Sequence, residues 1–398
     1  MKICFFTENS YKGGMDKLIY TLANNWPSND DEITILCNRS HPGYNDIKEK
    51  LKPQHHINNS NILLLLELKS YFNNFLPTII VSFISFVIKY LLVPYQIVKL
   101  YILFKKSDFD KLLIINGGYP GGYSCRSASL SWYLAKKKKS PMVCLSTMKE
   151  IIWYSYPFEF IIDKFLTYSV SKFIYPSLFV KKTQKYRSTF SSIDSLVIYN
   201  GIDQFPIIKN TCNVKNKNTT NFLMLATYEE HKGHVLLFDS IAYLIDKYSY
   251  QDYKFTIAGY GTDSDKTRLL REISVRNIGK YINFLDFQRD TYQLYKQSDA
   301  VIIPSIKYEA LPLTALEAMS LEIPLITTDI GGLSEIFSLN YNIGLISSTS
   351  PGALSENIYN FITNKGDREN YGKNGYQTYK KYFTSEACAY KYHDVLNT

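Results

Sequence analysis

The sequence predicts two doubly wound α/β domains in tandem, and three observations carry that prediction. Its 398 residues are enough for two ordinary domains. Short apolar or β-branched runs alternate with segments long enough for crossover helices, the βαβ pattern of a parallel sheet. A polar stretch rich in Asn, Lys and Thr, Pro206–Asn221, interrupts the alternation as an interdomain linker would, and the alternation then restarts. The expected division is 1–205, then 206–380, with 381–398 a last helix returning to the first domain.

In the first half the expected strands are Lys2–Thr7, Glu32–Cys37, Lys111–Asn116, Met142–Thr147, Lys172–Tyr175 and Ser195–Tyr199, with a helix from about Asp16 to Asn25. In the second half they are Phe222–Ala226, Lys254–Gly259, Ile282–Phe284, Ala300–Pro304 and Pro324–Thr327. Helices are expected at Leu236–Lys247, Lys266–Arg276 and Thr291–Gln297. The opening stretch Met1–Glu8 has too short an apolar run for a signal peptide and reads as a first strand.

Apolar residues make up 45% of the chain, which supports large cores and argues against disorder. The six cysteines are scattered without Cys-x2-Cys pairs, so they read as reduced thiols of a cytosolic protein and not as zinc ligands. Net charge is +9, and the positive excess lies in residues 1–205, with 25 Lys and Arg against 15 Asp and Glu. An anionic membrane surface or a phosphate-bearing substrate would be attracted there. No nucleic-acid-binding motif accompanies the charge, so nucleic acid is not an expected partner. The run Lys136 to Lys139 also fits a plain solvated surface.

Leu68–Ser107 contains no acidic residue, and Pro77–Leu103 is densely apolar. Ser82, Ser85, Lys89, Gln96 and Lys99 recur at helical spacing as a thin polar stripe. A single membrane crossing would split the first sheet. Two readings stay open: a shallow in-plane helix flanked by Lys99, Lys105 and Lys106, kinked at Pro94, or a buried crossover helix.

Three segments bear residues suited to binding a phosphorylated ligand. Ser10-Tyr-Lys-Gly-Gly-Met-Asp16 follows the first strand, where Gly13 and Gly14 allow close backbone approach beside Lys12. Tyr228-Glu-Glu-His-Lys-Gly-His234 follows the first strand of the second half and offers Lys232. Ser305-Ile-Lys-Tyr-Glu-Ala-Leu-Pro-Leu-Thr-Ala-Leu-Glu-Ala-Met319 follows the strand ending at Pro304 and is trailed by Gly331-Gly332. Glu309 then falls in a loop at the carboxyl end of a strand, where open α/β sheets hold ligands, and Glu317 on the helix that follows.

The Glu309-x7-Glu317 pair resembles the signature of the retaining glycosyltransferases of family 4, most closely the subgroup reading Glu-Gly-Leu-Pro, with Ala310 in place of the glycine. The Gly13-Gly14 loop, Asn200-Gly-Ile-Asp203, Lys232-Gly233, Ala258-Gly-Tyr-Gly261 and Ile282–Phe287 are similar to further elements of that family. The resemblance is specific from about Phe222 to Glu335. It implies a GT-B fold, two Rossmann-like domains facing a cleft, with the acceptor held by the first domain and the nucleotide-sugar donor by the second. Lys232 is implied at the diphosphate, the amides of Leu311 and Leu313 facing it, Glu309 at the transferring sugar and Glu317 at the ribose.

The family often has an arginine where Thr227 stands and a histidine where Met148 stands, leaving Lys149 and Glu150 as acceptor-side candidates. Asp108-Phe-Asp110 and Asp263-Ser-Asp265 read as turn and cap acids, so transfer without a metal or other cofactor is expected. The implied activity is transfer of a sugar, from a UDP-sugar in preference to a GDP-sugar, to a lipid-linked or saccharide acceptor in surface polysaccharide synthesis. The protein would sit peripherally on the cytoplasmic face of the membrane. A nucleotide-sugar 2-epimerase and a catalytically degenerate scaffold subunit are the alternatives.

Overall fold

The computed structural model describes residues 1–10, 13–73, 75–205, 219–248 and 252–398. Lys12 and residues 206–218 of the expected linker lie outside the described residues. The chain forms two units, Met1–Gly201 with Ser385–Thr398, and Ile202–Thr384.

In the first unit the elements run β1 (Lys2–Thr7), α1 (Gly14–Asn24), β2 (Glu32–Cys37), α2 (Tyr44–Lys50), β3 (His56–Asn59), α3 (Leu65–Asn73), α4 (Thr78–Lys106), β4 (Lys111–Asn116), α5 (Tyr123–Lys136), β5 (Ser140–Cys144), α6 (Tyr156–Ser169), β6 (Val170–Tyr175), α7 (Leu178–Lys181) and β7 (Asp194–Val197). Seven parallel strands lie in the order β3-β2-β1-β4-β5-β6-β7. Ile3, Cys4, Phe5 and Phe6 are fully buried, as a central parallel strand covered on both faces requires.

The second unit runs β8 (Thr220–Leu225), α8 (His234–Lys247), β9 (Tyr253–Ala258), α9 (Asp263–Val275), β10 (Ile282–Leu285), α10 (Tyr292–Gln297), β11 (Ala300–Ile303), α11 (Leu313–Ser320), β12 (Leu325–Thr328), α12 (Gly332–Leu339), β13 (Gly344–Ser347), α13 (Pro351–Thr363) and α14 (Asp367–Tyr382). Its six strands are parallel in the order β10-β9-β8-β11-β12-β13. The last helix, α15 (Ser385–Asn397), belongs to the first unit, where Cys388, Ala389, Tyr392 and Leu396 join the core of β1, β2 and α1. The fold class is therefore α/β, two Rossmann-like parallel-sheet units. In each, the strand order reverses once, between β1 and β4 and between β8 and β11, and the carboxyl ends at such a reversal are where these sheets bind ligands.

Some expected boundaries need correction. Thr220 and Asn221 open β8 instead of ending a linker, because Thr220 N donates to Asp252 O at 2.9 Å and both residues register with β9. The Met142–Thr147 strand starts at Ser140 and stops at Cys144. β3 and β13 were not anticipated: β3 is a polar edge strand, His-Ile-Asn-Asn, with only Ile57 buried, so it carries no apolar alternation.

The apolar segment forms α4, 29 residues long and continuous through Pro94, and its most apolar 18-residue window is only 11% buried. It is a crossover helix between β3 and β4, yet it is not a buried one. One stripe (Val81, Leu92, Gln96, Leu100, Phe104) packs inward, while Ile79, Phe83, Leu91 and Val98 are each more than half exposed. The polar stripe partly faces the protein: Gln96 Nε2 donates to Leu63 O at 3.0 Å, its Oε1 accepts from Ser127 at 3.0 Å, and Lys89 pairs with Glu159 at 2.5 Å. Polar groups turned in and apolar groups turned out invert the usual arrangement of a surface helix. Since β1 pairs with both β2 and β4, a single crossing by α4 would tear one sheet across a bilayer.

Candidate functional site

β8 and β11 are neighbours, so the loops leaving their carboxyl ends meet. Ile306 N donates to His231 O at 2.9 Å, and the His231 and Tyr308 rings stack 4.4 Å apart. Gly233, at φ 78, lies so close to the β11 loop that a Cβ would overlap the carbonyl of Pro304. Only glycine permits this approach at that φ, and it holds the preceding Lys232 beside the second loop. On the other side, Gly332 N donates to Glu309 O at 2.8 Å, and a Cβ on Gly332 would overlap Ala310 O. The two glycine turns clamp the Glu309 loop from both flanks.

Lys232 Nζ lies 2.9 Å from Glu309 Oε2 and 3.1 Å from Oε1. Ser305 Oγ donates to the same Oε2 at 2.8 Å, and Thr328 Oγ1 donates to Ser305 O at 2.5 Å, tying the base of the loop to β12. Glu309 is buried, and the Lys232 side chain is about one-quarter exposed. An ammonium that neutralises a buried carboxylate while keeping access to solvent can exchange that partner for an incoming anion.

Leu311 is buried and Leu313 begins α11, whose first turn has no acidic residue and, among the described residues, no side-chain cap. Glu317 is buried on α11, and Tyr295 of α10 donates to its Oε2 at 2.6 Å. Burial, and then the neighbouring Glu317 carboxylate, pushes the Tyr295 phenol far up, which keeps it a donor. Thr227, at the position where the resemblance implies an arginine, donates to Glu229 at 2.7 Å. Thr262 caps α9 and Asp265 completes the capping box, so that acidic triplet serves the helix end. Asp110 accepts from Lys2 N at 2.8 Å, and Asp108 pairs with the Lys2 ammonium.

His234, one residue after Gly233, is buried with Nε2 lacking a partner among the described residues. Desolvation, aided by Arg268 and Lys232, lowers its pKa to about 3. The unfolded chain takes up a proton near pH 6.5 that the folded chain refuses, so stability falls as pH drops below that value. Replacing His234 by Leu should remove roughly 1.4 kcal/mol of this decline per pH unit. Urea melts between pH 7 and pH 5, compared between the two proteins, measure it; parallel slopes would contradict the assignment.

The other expected site residues lie in the first unit. Gly13 and Gly14 open α1, and Gly13 N donates to Asp16 Oδ2 at 3.1 Å, so this amide is already engaged by a carboxylate. Asn9 at 2.8 Å and His41 at 2.9 Å hold the other Asp16 oxygen. Lys149 and Glu150 are exposed after β5. Met148 is buried, with its N–H on Thr183 at 2.9 Å and its sulfur accepting from Tyr175 at 3.7 Å. Sequence reasoning missed Glu8, whose Oε2 accepts from Ser124 N at 2.6 Å at the start of α5 and whose carboxyl is pushed up by burial. The run Asn116-Gly-Gly-Tyr-Pro-Gly-Gly122 was its available signal, a glycine-rich loop leaving β4 next to β1.

The chain is similar in sequence and in fold to known glycosyltransferases. An uncharacterized glycosyltransferase of Methanocaldococcus jannaschii is 27% identical over 197 residues, covering 49% of this chain and 51% of its own. An O-antigen biosynthesis glycosyltransferase of Escherichia coli is 26% identical over 226 residues, 54% of this chain and 59% of its own. A UDP-Gal:alpha-D-GlcNAc-diphosphoundecaprenol alpha-1,3-galactosyltransferase of Escherichia coli is 28% identical over 144 residues, 34% and 37%. The chain spans about half the length of the curated relatives it matches first. The crystal structure of Anabaena HepE in complex with UDP superposes over the whole of both chains with a TM-score of 0.73 at 15% identity, a likeness of fold. Residues 209–378 match the family model described as Glycosyl transferases group 1, a stretch that covers most of the second unit.

Proposed function

We propose that the protein is a retaining glycosyltransferase that moves a sugar from a nucleoside-diphosphate donor, a UDP-sugar in preference, to a lipid-linked diphosphate saccharide. The observation that carries this is the Lys232–Glu309 pair at the strand-order reversal of a group 1 domain. The diphosphate would sit on the uncapped start of α11, between the amides of Leu311 and Leu313, and draw Lys232 off Glu309. Glu309, released, accepts from hydroxyls of the transferring sugar, and Glu317 accepts from the ribose. The bond from the anomeric carbon to the diphosphate oxygen breaks while the acceptor oxygen bonds that carbon from the same face. The acceptor proton passes to the departing phosphate oxygen. Lys232 neutralises the charge gathering on that oxygen, so no metal is assigned.

The lipid-linked acceptor and peripheral membrane contact are part of the same reading. They are supported by the outward apolar face of α4 and by the relative named for a diphosphoundecaprenol-linked substrate. Nucleotide sugars are cytoplasmic, so the reading places the protein on the cytoplasmic face. Thermal-shift titration tests the donor site: UDP should raise the melting temperature more than GDP or ADP, and Glu317→Ala should remove most of that shift. An equal UDP shift in Glu317→Ala would overturn the ribose role.

A further inference from the structure

The helices α4, α5 and α6 run side by side in one direction. Lys89 of α4 and Arg126 of α5 both reach Glu159 of α6, and further along Ser131 of α5 donates to Ile97 O of α4 at 3.0 Å. Between them lies a groove of about 460 Å³ with entirely apolar walls, among them Val93, Ile97, Leu130, Leu134, Ile161 and Phe165. That volume falls within the roughly 300–1,000 Å³ of ordinary ligand sites. Its rim is exposed: Leu134 at 46%, Ile161 at 53% and Phe165 at 57%.

Charge says what covers it. α4 and α5 contain no acidic residue, and the two acids of α6, Glu159 and Asp163, are both buried. The accessible charge on this layer is therefore cationic, with Lys99, Lys105, Lys106 and Lys164 all exposed. A water-facing protein surface balances apolar area with charges of both signs, whereas this face suits hydrocarbon beneath anionic headgroups.

One helical turn before the groove, at the same end of all three helices, lies a buried charged cluster. Lys89 precedes Val93 by four residues, and Arg126 precedes Leu130 by four. Arg126 donates from Nη1 to Glu159 at 2.7 Å, and Arg187 reaches Glu159 at 3.4 Å and Asp163 at 3.1 Å. Three cations thus share two carboxylates, and Tyr119 donates a further hydrogen bond to Asp163. Arg126 is 2% exposed, yet its Nε and Nη2 have no hydrogen-bond partner among the described residues. The rings of Tyr123 and Tyr119, with centroids 5.0 and 5.8 Å from the guanidinium, offset part of the cost of burying these two nitrogens, and an incoming oxygen acceptor would offset more. Lys89, at 13% exposure, is the cluster's link to the surface.

The geometry points to a binding site for one isoprenoid diphosphate lipid, its chain in the α4–α5–α6 groove and its phosphates at Lys89 and Arg126. This deepens the acceptor side of the proposed function and rests on it. The chain enters from the exposed rim, and the diphosphate takes the acceptor positions that the cluster leaves vacant.

Farnesyl diphosphate serves as probe, with farnesol, inorganic diphosphate and monomeric short-chain phosphatidylglycerol as comparisons, each titrated calorimetrically into the full chain. Farnesyl diphosphate should bind at least tenfold more tightly than any of the three. The double variant Leu134→Trp, Ile161→Trp fills the groove from its exposed rim, where neither change disturbs the core. It should weaken farnesyl diphosphate at least tenfold while leaving the UDP thermal shift and flotation on anionic vesicles unchanged. A second variant, Ile79→Glu with Phe83→Glu, should lose flotation yet keep farnesyl diphosphate binding, which separates this site from the membrane-surface reading. Lys89→Gln should weaken farnesyl diphosphate but not farnesol. Equal binding in the groove-filled variant, or equal affinity for phosphatidylglycerol, would overturn the proposal whatever the vesicles show.

Discussion

Lys232→Ala should lower sugar transfer by roughly two to three orders of magnitude, about 2.7–4 kcal/mol of transition-state stabilisation. The size follows from where the ammonium sits. Its nitrogen is within 3.1 Å of both oxygens of a buried carboxylate, on a loop pinned to the β11 loop by Gly233 and by the His231–Ile306 hydrogen bond. In the proposed reading the bound diphosphate has already drawn the ammonium off Glu309, so the charge faces the leaving oxygen before the bond breaks, and the partly dry surroundings strengthen it. Two effects of the substitution can be told apart. Glu309, without its cation, keeps only Ser305 among the side-chain partners described, so some stability is lost as well. Glu309→Gln removes the carboxylate charge and keeps a hydrogen-bonding side chain of the same size, so it isolates the loss of charge at the sugar. We expect Glu309→Gln to lose turnover while retaining the UDP-induced thermal shift, and Lys232→Ala to lose both. Radiolabel transfer from a UDP-sugar, read beside the thermal shifts, makes the comparison. Unchanged turnover in Lys232→Ala would remove the diphosphate role.

Much of this site was legible in the sequence because strand ends and glycines are local signals. Pro304 closes β11 and Gly331-Gly332 opens α12, which brackets the Glu309 loop without any knowledge of tertiary structure. The direct bond between Lys232 and Glu309 was not legible. It spans 77 residues and exists because β8 and β11 are adjacent, which follows from strand order and not from either motif. Glu8 escaped notice for a related reason: its partner, Ser124 N, is 116 residues away. Spacing alone does not say which way the polar positions of α4 face: Ser82 and Lys99 are exposed, whereas Gln96 is buried. Gln96 and Lys89 turn inward because Ser127 and Glu159, on α5 and α6, wait for them there. A polar edge strand such as β3 offers no periodicity to find, since one buried side chain in four leaves nothing to alternate.

Glu159→Ala should be the most destabilising single change in the first unit, at roughly 3–5 kcal/mol. The carboxylate accepts from Lys89 at 2.5 Å, Arg126 at 2.7 Å, Tyr90 at 3.2 Å and Arg187 at 3.4 Å. Burial alone would raise its pKa, but Arg126, then Lys89 and Arg187, overcome that and hold it down to about 2. Deleting it leaves Arg126 and Arg187 with Asp163 alone, whose own carboxyl is pushed up by burial against the pull of Arg187, and leaves Lys89 without its carboxylate. Lys89 can swing its ammonium to water, whereas Arg126 and Arg187, each 2% exposed, cannot. The arginines therefore carry the penalty, and Glu159→Gln should recover only part of it, because an amide supplies one acceptor without the charge. The pH dependence has a definite sign. A carboxylate whose folded pKa is depressed contributes its stability above its unfolded value near 4.3, and loses it as pH falls toward 2. The wild-type protein should lose stability steeply over that interval, and Glu159→Gln less steeply. Because the chain forms two units, the melt is better followed by hydrogen exchange than by a single transition. Amides of α5 and α6 should lose protection in Glu159→Ala while those of β8 and β11 keep theirs. Uniform loss across both units, or none in α5 and α6, would show that the cluster does not hold this helical layer together.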